Sequence, residues 1–349
     1  LEFLANYGLF LAKAVTVLVV VVLIIMVIAA NAMRSQKGSE EHVEIRKIND
    51  DLDDLEDAMK DMLLDKDDLK RERKEKKRLE KAKKKERKKS GENEPEAAKR
   101  RVFVTAFDGD IKASQTEQLR KVISAILTVA KSEDEVVVKL ESAGGMVHSY
   151  GFASSQLLRL REAGVQLTVC VDKVAASGGY MMACVAHKIV AAPFAILGSI
   201  GVVAQLPNFN RLLEKHDVDY EMHTAGEYKR TLTMFGKNTD EGRKKFIEEL
   251  EDTHVLFKQF IHQNRPSVNI EDTATGEIWF GTRALERQLI DSVQTSDDYL
   301  FALRKDADIF DVRVLRKKSV AERVFGAAET AVERSVTRLL TDLNKRYFA

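Results

Sequence analysis

Two short glycine-bearing turns hold the residues best placed for chemistry: LESAGGMV, from Leu140 to Val147, and VAASGGY, from Val174 to Tyr180. Each follows an apolar, β-branched run and precedes a helical pattern, so each reads as a strand end that opens a helix. The first N–H groups of a helix have no internal acceptor, and glycine lets a reacting atom come close to the backbone. Two such turns side by side can aim free N–H donors at one oxyanion, with the Ser177 hydroxyl beside it. The plain alternative is tight packing at both turns, with Ser177 an ordinary helix N-cap. Their pairing on consecutive β-α units favours catalysis.

A serine hydroxyl is a weak nucleophile until a base takes its proton. The chain has seven histidines. His187 lies about 15 Å beyond Ser177 if the intervening helix persists. His148 follows the first turn, His223 ends a predicted strand, and neither comes with a matched aspartate. Lys229, in HTAGEYKRTL, follows a predicted strand and a glycine and neighbours Arg230. To act as a base it must be neutral, which means bringing a pKa near ~10.4 down to about 7–8, or about 3–5 kcal/mol of environment. Burial and a nearby cation push that way; a plain surface lysine is the alternative that the pattern leaves open. The two cysteines, Cys170 and Cys184, lie in apolar stretches and read as small buried hydrophobes, with no disulfide framework and no metal site.

The elements that must position these groups begin after Arg101. RVFVTAF, an amphipathic stretch from Gln115 to Ala130, EVVVKLE, a helix to Ala163 and QLTVCVD alternate in the manner of β-α-β units with a largely parallel sheet. A second apolar stretch, Met181 to Leu206, carries His187, Lys188 and Pro193 and breaks at Gly198 and Gly201, so it reads as a helix tail plus buried strands. A long helix runs from Thr239 to Asn264 and ends at Pro266. GEIWFGTRALERQLIDSV reads as turn, strand, helix and strand, and Ala321 to Tyr347 is an amphipathic tail.

Upstream, Ala14 to Met33 contains no charged residue and spans about 30 Å as a helix, a bilayer's hydrocarbon thickness. Ala30-Asn31-Ala32 offers a cleavage-like site, but the apolar run is long for a signal peptide and Glu2 stands where positive charge belongs. The segment is therefore read as a transmembrane anchor. Arg34 and Lys37 on its C-terminal side, against Lys13 on the other, favour the cytoplasmic over the periplasmic face for residues 34 onward by the positive-inside rule, by a narrow margin of charge. The net charge of +1 hides an asymmetry: Glu40 to Asp68 is mostly acidic and Lys70 to Lys89 mostly basic. Leu52, Leu55, Met59, Met62 and Leu63 recur at helical spacing, giving a charged helical stalk that can self-associate. Its basic run has no interleaved aromatic residue and is peppered with Glu, which describes a solvated helix better than a nucleic-acid site. The predicted layout is an anchor over 1–38, a stalk over 39–100, a catalytic α/β domain over 101–305, and a C-terminal strand and helical tail over 306–349.

In this order, ESAGGMV, DKVAASGGYMMACVAHKIVAAP, LGSIGVV, AGEYKR and GEIWFGTRALERQLID resemble the signal peptide peptidase A family of membrane-anchored serine peptidases, nearest to its bacterial branch with one span and a single catalytic domain. The resemblance covers Val102 to Val293. It implies a Clp-protease/crotonase-like β-α-β spiral, ring-like homo-oligomers, a Ser/Lys dyad, no cofactor, and a place in the bacterial inner membrane. By motif, Ser177 is the nucleophile, Lys229 the general base, Gly145 with Gly144 and Gly178 the oxyanion donors, and Ser199 the serine that orients the lysine. The implied partners are the lipid bilayer and hydrophobic extended peptides, such as signal-peptide remnants or damaged membrane-protein segments; Met146, Met181 and Met182 are candidate lining. Two positions depart from the pattern: Ala143 replaces a proline, and Gln288 a glycine. An inert membrane scaffold of the same fold and an acyl-CoA hydratase-like relative remain the rival readings, the latter with only Glu141 for the acidic pair it needs.

Overall fold

The computed structural model describes residues 41–65 and 99–316 continuously, with single positions within 8–20 and 67–78. Residues 44–313 form one compact unit. A second unit comprises 1–43 and 314–349, and its described residues are helical positions between Gly8 and Val20 and the strand residues 41–43 and 314–316. Among the described residues no helix is long and apolar enough to cross a membrane. Most of the predicted span at 14–33, most of the basic run and the whole 321–347 tail lie outside the described residues.

Strand β1 (Glu41–Lys47) and helix α1 (Ile48–Leu63) come first. The expected alternation then follows as β2 (Arg100–Gly109), α2 (Thr116–Leu127), β3 (Glu135–Ser142), α3 (Val147–Glu162), β4 (Gln166–Val171), β5 (Val174–Ala176), α4 (Gly178–Ala183), β6 (Lys188–Ala191) and β7 (Ile196–Gly198). After α5 (Asn210–Lys215) come α6 (Asp240–Asn264), α7 (Ile270–Thr273), β8 (Ile278–Phe280), α8 (Gly281–Glu286), β9 (Ser292–Val293), α9 (Ser296–Leu303) and β10 (Ala307–Arg316). The strands make one sheet in the order β1-β10-β2-β3-β4-β6-β9, with a branch in which β5 pairs with β3, β7 with β5 and β8 with β7. The pairs from β10 through β9 are parallel, and β7–β8 is antiparallel.

The central strands are buried on both faces, which explains their near-continuous apolar runs. Val102, Val104, Val137, Cys170 and Val190 share one face with Tyr299 and Leu300 of α9 and Ile309 of β10. Val136 and Val138, fully buried, alternate to the other face. The branch matters most for function. Most of β3 pairs with β4, but its last residue, Ser142, pairs with Ala175 of β5, so the sheet splits where the first glycine turn begins.

One element differs from the sequence reading. The segment predicted as a helical stalk starts with a strand, and α1 is fastened to the catalytic unit through Asn49. That side chain is 7 % exposed; it donates to Arg304 O at 3.2 Å and Ala307 O at 3.0 Å, and accepts from Ile309 N–H at 2.7 Å. The alternation of Val43 and Ile45 signals that strand, but both are exposed edge residues and the pattern is short. At the other end of the chain, β10 lies between β1 and β2 within the sheet and pairs in parallel with β2. Asn49→Ala leaves three backbone groups without partners and is expected to lower the unfolding free energy by about 2–3 kcal/mol. The check is a urea midpoint that falls while the slope holds.

Candidate active site

Three parallel strands deliver the site. Ser142 at the end of β3 pairs with Ala175, and Ala176 at the end of β5 pairs with Gly198 at the end of β7. The turns that follow therefore emerge together at the C-terminal ends of the strands, where open α/β sheets gather their binding loops.

Ser177 forms the middle turn with φ 52° and ψ −118°, a conformation an L residue keeps only when its surroundings impose it. Those surroundings are visible: its N–H donates to Gly198 O at 2.8 Å, and its carbonyl accepts from Met181 N–H at 3.0 Å. The side chain makes no cap hydrogen bond to α4. The N-cap alternative therefore fails, and the half-buried hydroxyl is left uncommitted to the helix.

The two glycine turns touch backbone to backbone. Gly144 has φ 92°, and a Cβ there would stand 2.7 Å from Gly178 N and 2.8 Å from both Ala176 O and Ser177 Cβ. Only glycine fits both the torsion and the approach. The N–H of Gly144 is already used, however, because it donates to Ser142 Oγ at 3.0 Å. This corrects the expectation of a Gly144 oxyanion donor. The remaining candidates are Gly145, whose N–H has no acceptor among the described residues, and Gly178, which opens α4 and so lacks an intrahelical acceptor.

Ser199 sits on the third turn, one residue past the carbonyl that holds Ser177. Its φ is 50°, and its N–H donates to Glu277 O at 2.6 Å. Gly198 beside it packs against Trp279, where a Cβ would come within 2.6 Å of the ring. Lys229 is placed differently. It is exposed, on a stretch from 216 to 239 without helix or strand, and its N–H donates to Gly226 O at 3.2 Å. It lines a cavity of about 730 Å³ with Leu206, Tyr220, Met222, Leu232 and Phe235, and Ser177 is not part of that lining. The structure thus gathers Ser177, Gly144, Gly145, Gly178 and Ser199 at the paired strand ends; Lys229 is exposed, so the burial expected around it is not supplied by this chain alone. The strand predicted ahead of both His223 and Lys229 does not form.

The other candidates fall to structural roles or to the surface. His187 Nδ1 accepts Leu167 N–H at 3.0 Å, and burial beside Arg161 holds its pKa below the usual histidine range. His148 and His223 are exposed. Burial pushes both cysteine thiols up to about 12, so neither is a nucleophile at neutral pH. Met181 and Met182 are core residues, 6 % and 0 % exposed, which removes them from the candidate lining and leaves Met146 at the surface. Sequence reasoning missed Ser142 and Tyr150, which brace the glycine turns from below; the only hint was the run of small residues that make room for them. Gln288, where the pattern has glycine, does occupy a left-handed position, φ 60°. Gln288→Gly is expected to raise the unfolding free energy by about 0.5–1 kcal/mol, the relief of side-chain strain less the added freedom of the unfolded chain. Thermal unfolding with unchanged activity is the readout.

Residues 2–157 match the pattern described as peptidase family S49 N-terminal, and residues 159–309 match peptidase family S49. The chain is 47 % identical over 349 residues to "Probable protease SohB" of Haemophilus influenzae, covering 99 % of each chain. It is 47 % identical over 306 residues to the protein of the same name from Buchnera aphidicola subsp. Schizaphis graminum, covering 88 % of each. A solved 1510-N membrane-bound stomatin-specific protease superposes at a TM-score of 0.39 and 14 % identity, covering 59 % of this chain and 84 % of that one.

Proposed function

Because this chain belongs to peptidase family S49, with a SohB-type relative matched along its full length, we propose that it is a membrane-anchored endopeptidase working through a Ser177/Lys229 dyad. That it is a peptidase, a hydrolase, follows from the membership; the dyad, the anchor and the substrates are the proposal. The observation that carries the dyad's serine is the contact of the two glycine turns around Ser177 in its constrained conformation.

In the proposed reaction, neutral Lys229 Nζ takes the Ser177 proton as Oγ attacks the scissile carbonyl carbon. The negative oxygen is held by the N–H groups of Gly145 and Gly178. The protonated lysine then gives its proton to the departing amine, leaving an acyl-serine. Water, deprotonated by the same lysine, attacks that ester, and the proton returns to Ser177 as the acid leaves. Ser199, beside the Gly198 carbonyl that anchors Ser177, is the residue proposed to orient Lys229 once the 216–239 stretch closes over the site.

A second copy of the chain is the proposed means of closure. Val203, Leu206, Phe209, Leu212, Val218 and Tyr220 are all exposed in the single chain, and covering them supports a homo-oligomer with the lysine buried. The apolar run at 14–33 supports an anchor in the bacterial inner membrane, and the flanking charges support a cytoplasmic catalytic unit. An enzyme held there meets hydrophobic, extended segments, which supports signal-peptide remnants and damaged membrane-protein segments as substrates. The hydratase-like reading rests on Glu141 alone, a carboxylate that pairs with Lys173 at 3.0 Å.

The test is labelling of the detergent-solubilised full chain with a serine-directed fluorophosphonate. Labelling of the wild type, lost in both Ser177→Ala and Lys229→Ala, is the expected result. A folded wild type that takes no label makes the chain an inert scaffold, and a label that survives Ser177→Ala places the nucleophile elsewhere.

A further inference from the structure

Tyr150 is fully buried in the first turn of α3, and its side chain reaches back to both glycine turns. Its hydroxyl donates to Asp110 O at 2.7 Å and lies 2.5 Å from Ser142 Oγ. A backbone carbonyl only accepts, so the phenol proton points to Asp110. Ser142 then donates to Tyr150 Oη or to Gly109 O, 3.2 Å away, and accepts from Gly144 N–H at 3.0 Å. The result is a directed chain from the first glycine turn through two hydroxyls to the end of β2. The ring meanwhile lies against the second turn, where a Cβ on Gly178 would fall 2.4 Å from Tyr150 Cγ. At Gly109 a Cβ would stand 2.5 Å from both Ser142 Oγ and Tyr150 Oη, so the pair of hydroxyls fills the space that glycine leaves.

We propose that Tyr150 and Ser142 form one hydrogen-bonded strut that sets the spacing of the Gly145 and Gly178 donors, making both of them positioning residues for the peptidase reaction. This rests on the assignment of Ser177 as nucleophile. Neither side chain reaches substrate. The strut acts through the turns: it takes up the N–H of Gly144, which fixes the direction of the next one at Gly145, and its tyrosine side chain packs against the backbone of Gly178. A buried phenol whose only task was to fill space would leave its hydroxyl without a partner, at a cost phenylalanine avoids. Burial also raises the pKa of Tyr150, which keeps it a neutral donor at working pH.

The experiment uses the full chain in detergent with a fluorogenic peptide and a peptide aldehyde, whose tetrahedral adduct needs the oxyanion donors. Tyr150→Phe removes one oxygen and keeps the ring; Ser142→Ala breaks the same chain from its other end. Each is expected to lower kcat about ten- to a hundredfold, with KM within about twofold of wild type and the aldehyde Ki raised by the kcat factor. The double variant is expected to be no slower than the slower single. Wild-type kcat in a folded Tyr150→Phe, a loss carried by KM, or multiplying effects in the double variant each overturn the strut. Should Tyr150→Phe not fold, Ser142→Ala is judged by the same figures, and if neither folds the pair is structural only and the proposal falls. Wild type unlabelled at Ser177 overturns both this and the dyad; a labelled wild type matched by its variants overturns the strut alone.

Discussion

Ser177→Ala is expected to cut kcat/KM for peptide cleavage by about 10⁴–10⁶-fold while the fold stays intact. Alanine keeps the Cβ and the left-handed torsion and removes only a hydroxyl that caps nothing, so thermal unfolding should match wild type. Lys229→Ala is expected to lose a comparable factor, and the double variant no more than the worse single, because a nucleophile and its base act as one unit. Lys229→Arg should not restore activity, since a guanidinium stays protonated at any working pH. Lys229 is exposed in the single chain, so the proposed closure by a second copy predicts that specific activity rises with protein concentration. Steady-state kinetics of the four variants over a dilution series measures all of this. Full activity in Lys229→Ala would remove the lysine from the mechanism and leave the serine standing.

Gly144→Ala should damage the enzyme in a second way, by parting the two turns. Its Cβ would meet Gly178 N, Ala176 O and Ser177 Cβ at 2.7–2.8 Å, atoms of backbone or of the serine's own root that cannot swing aside. Adding the torsional strain of φ 92° gives an expected destabilisation of about 2–4 kcal/mol. The surviving folded enzyme should be at least about 10²-fold slower, because the serine and its donors are displaced together. Gly164→Ala supplies the control. Gly164 also has positive φ, 73°, but open space around it, so only the strain of about 1 kcal/mol should appear, with unchanged kcat. Denaturant melts beside kinetics separate the two; equal behaviour of both variants would mean the turns are not in the contact described.

Much of this was legible in the chain. The alternation from Val102 to Val171, the end of the long helix at Asn264, and the strand-helix-strand after Glu277 all appear where periodicity and turn residues put them. So does the pairing of two glycine turns on consecutive units, because Gly-Gly after a β-branched run constrains the backbone locally. The family resemblance added Ser199 and gave the role of base to Lys229, which pattern alone had left open to a plain surface lysine.

What the sequence by itself determined is therefore local: which stretches are strand or helix, where they turn, and that a serine stands at one of the turns. Tertiary structure alone decided that β10 enters the sheet beside β2, that Gly144 gives its N–H to Ser142, that Tyr150 supports Gly178, and that Met181 and Met182 are core. The physical reason is reach. Periodicity and turn chemistry act over a few residues, whereas the Asn49–Ile309 and Tyr150–Asp110 bonds join groups 260 and 40 positions apart and exist only once the whole sheet has closed around them.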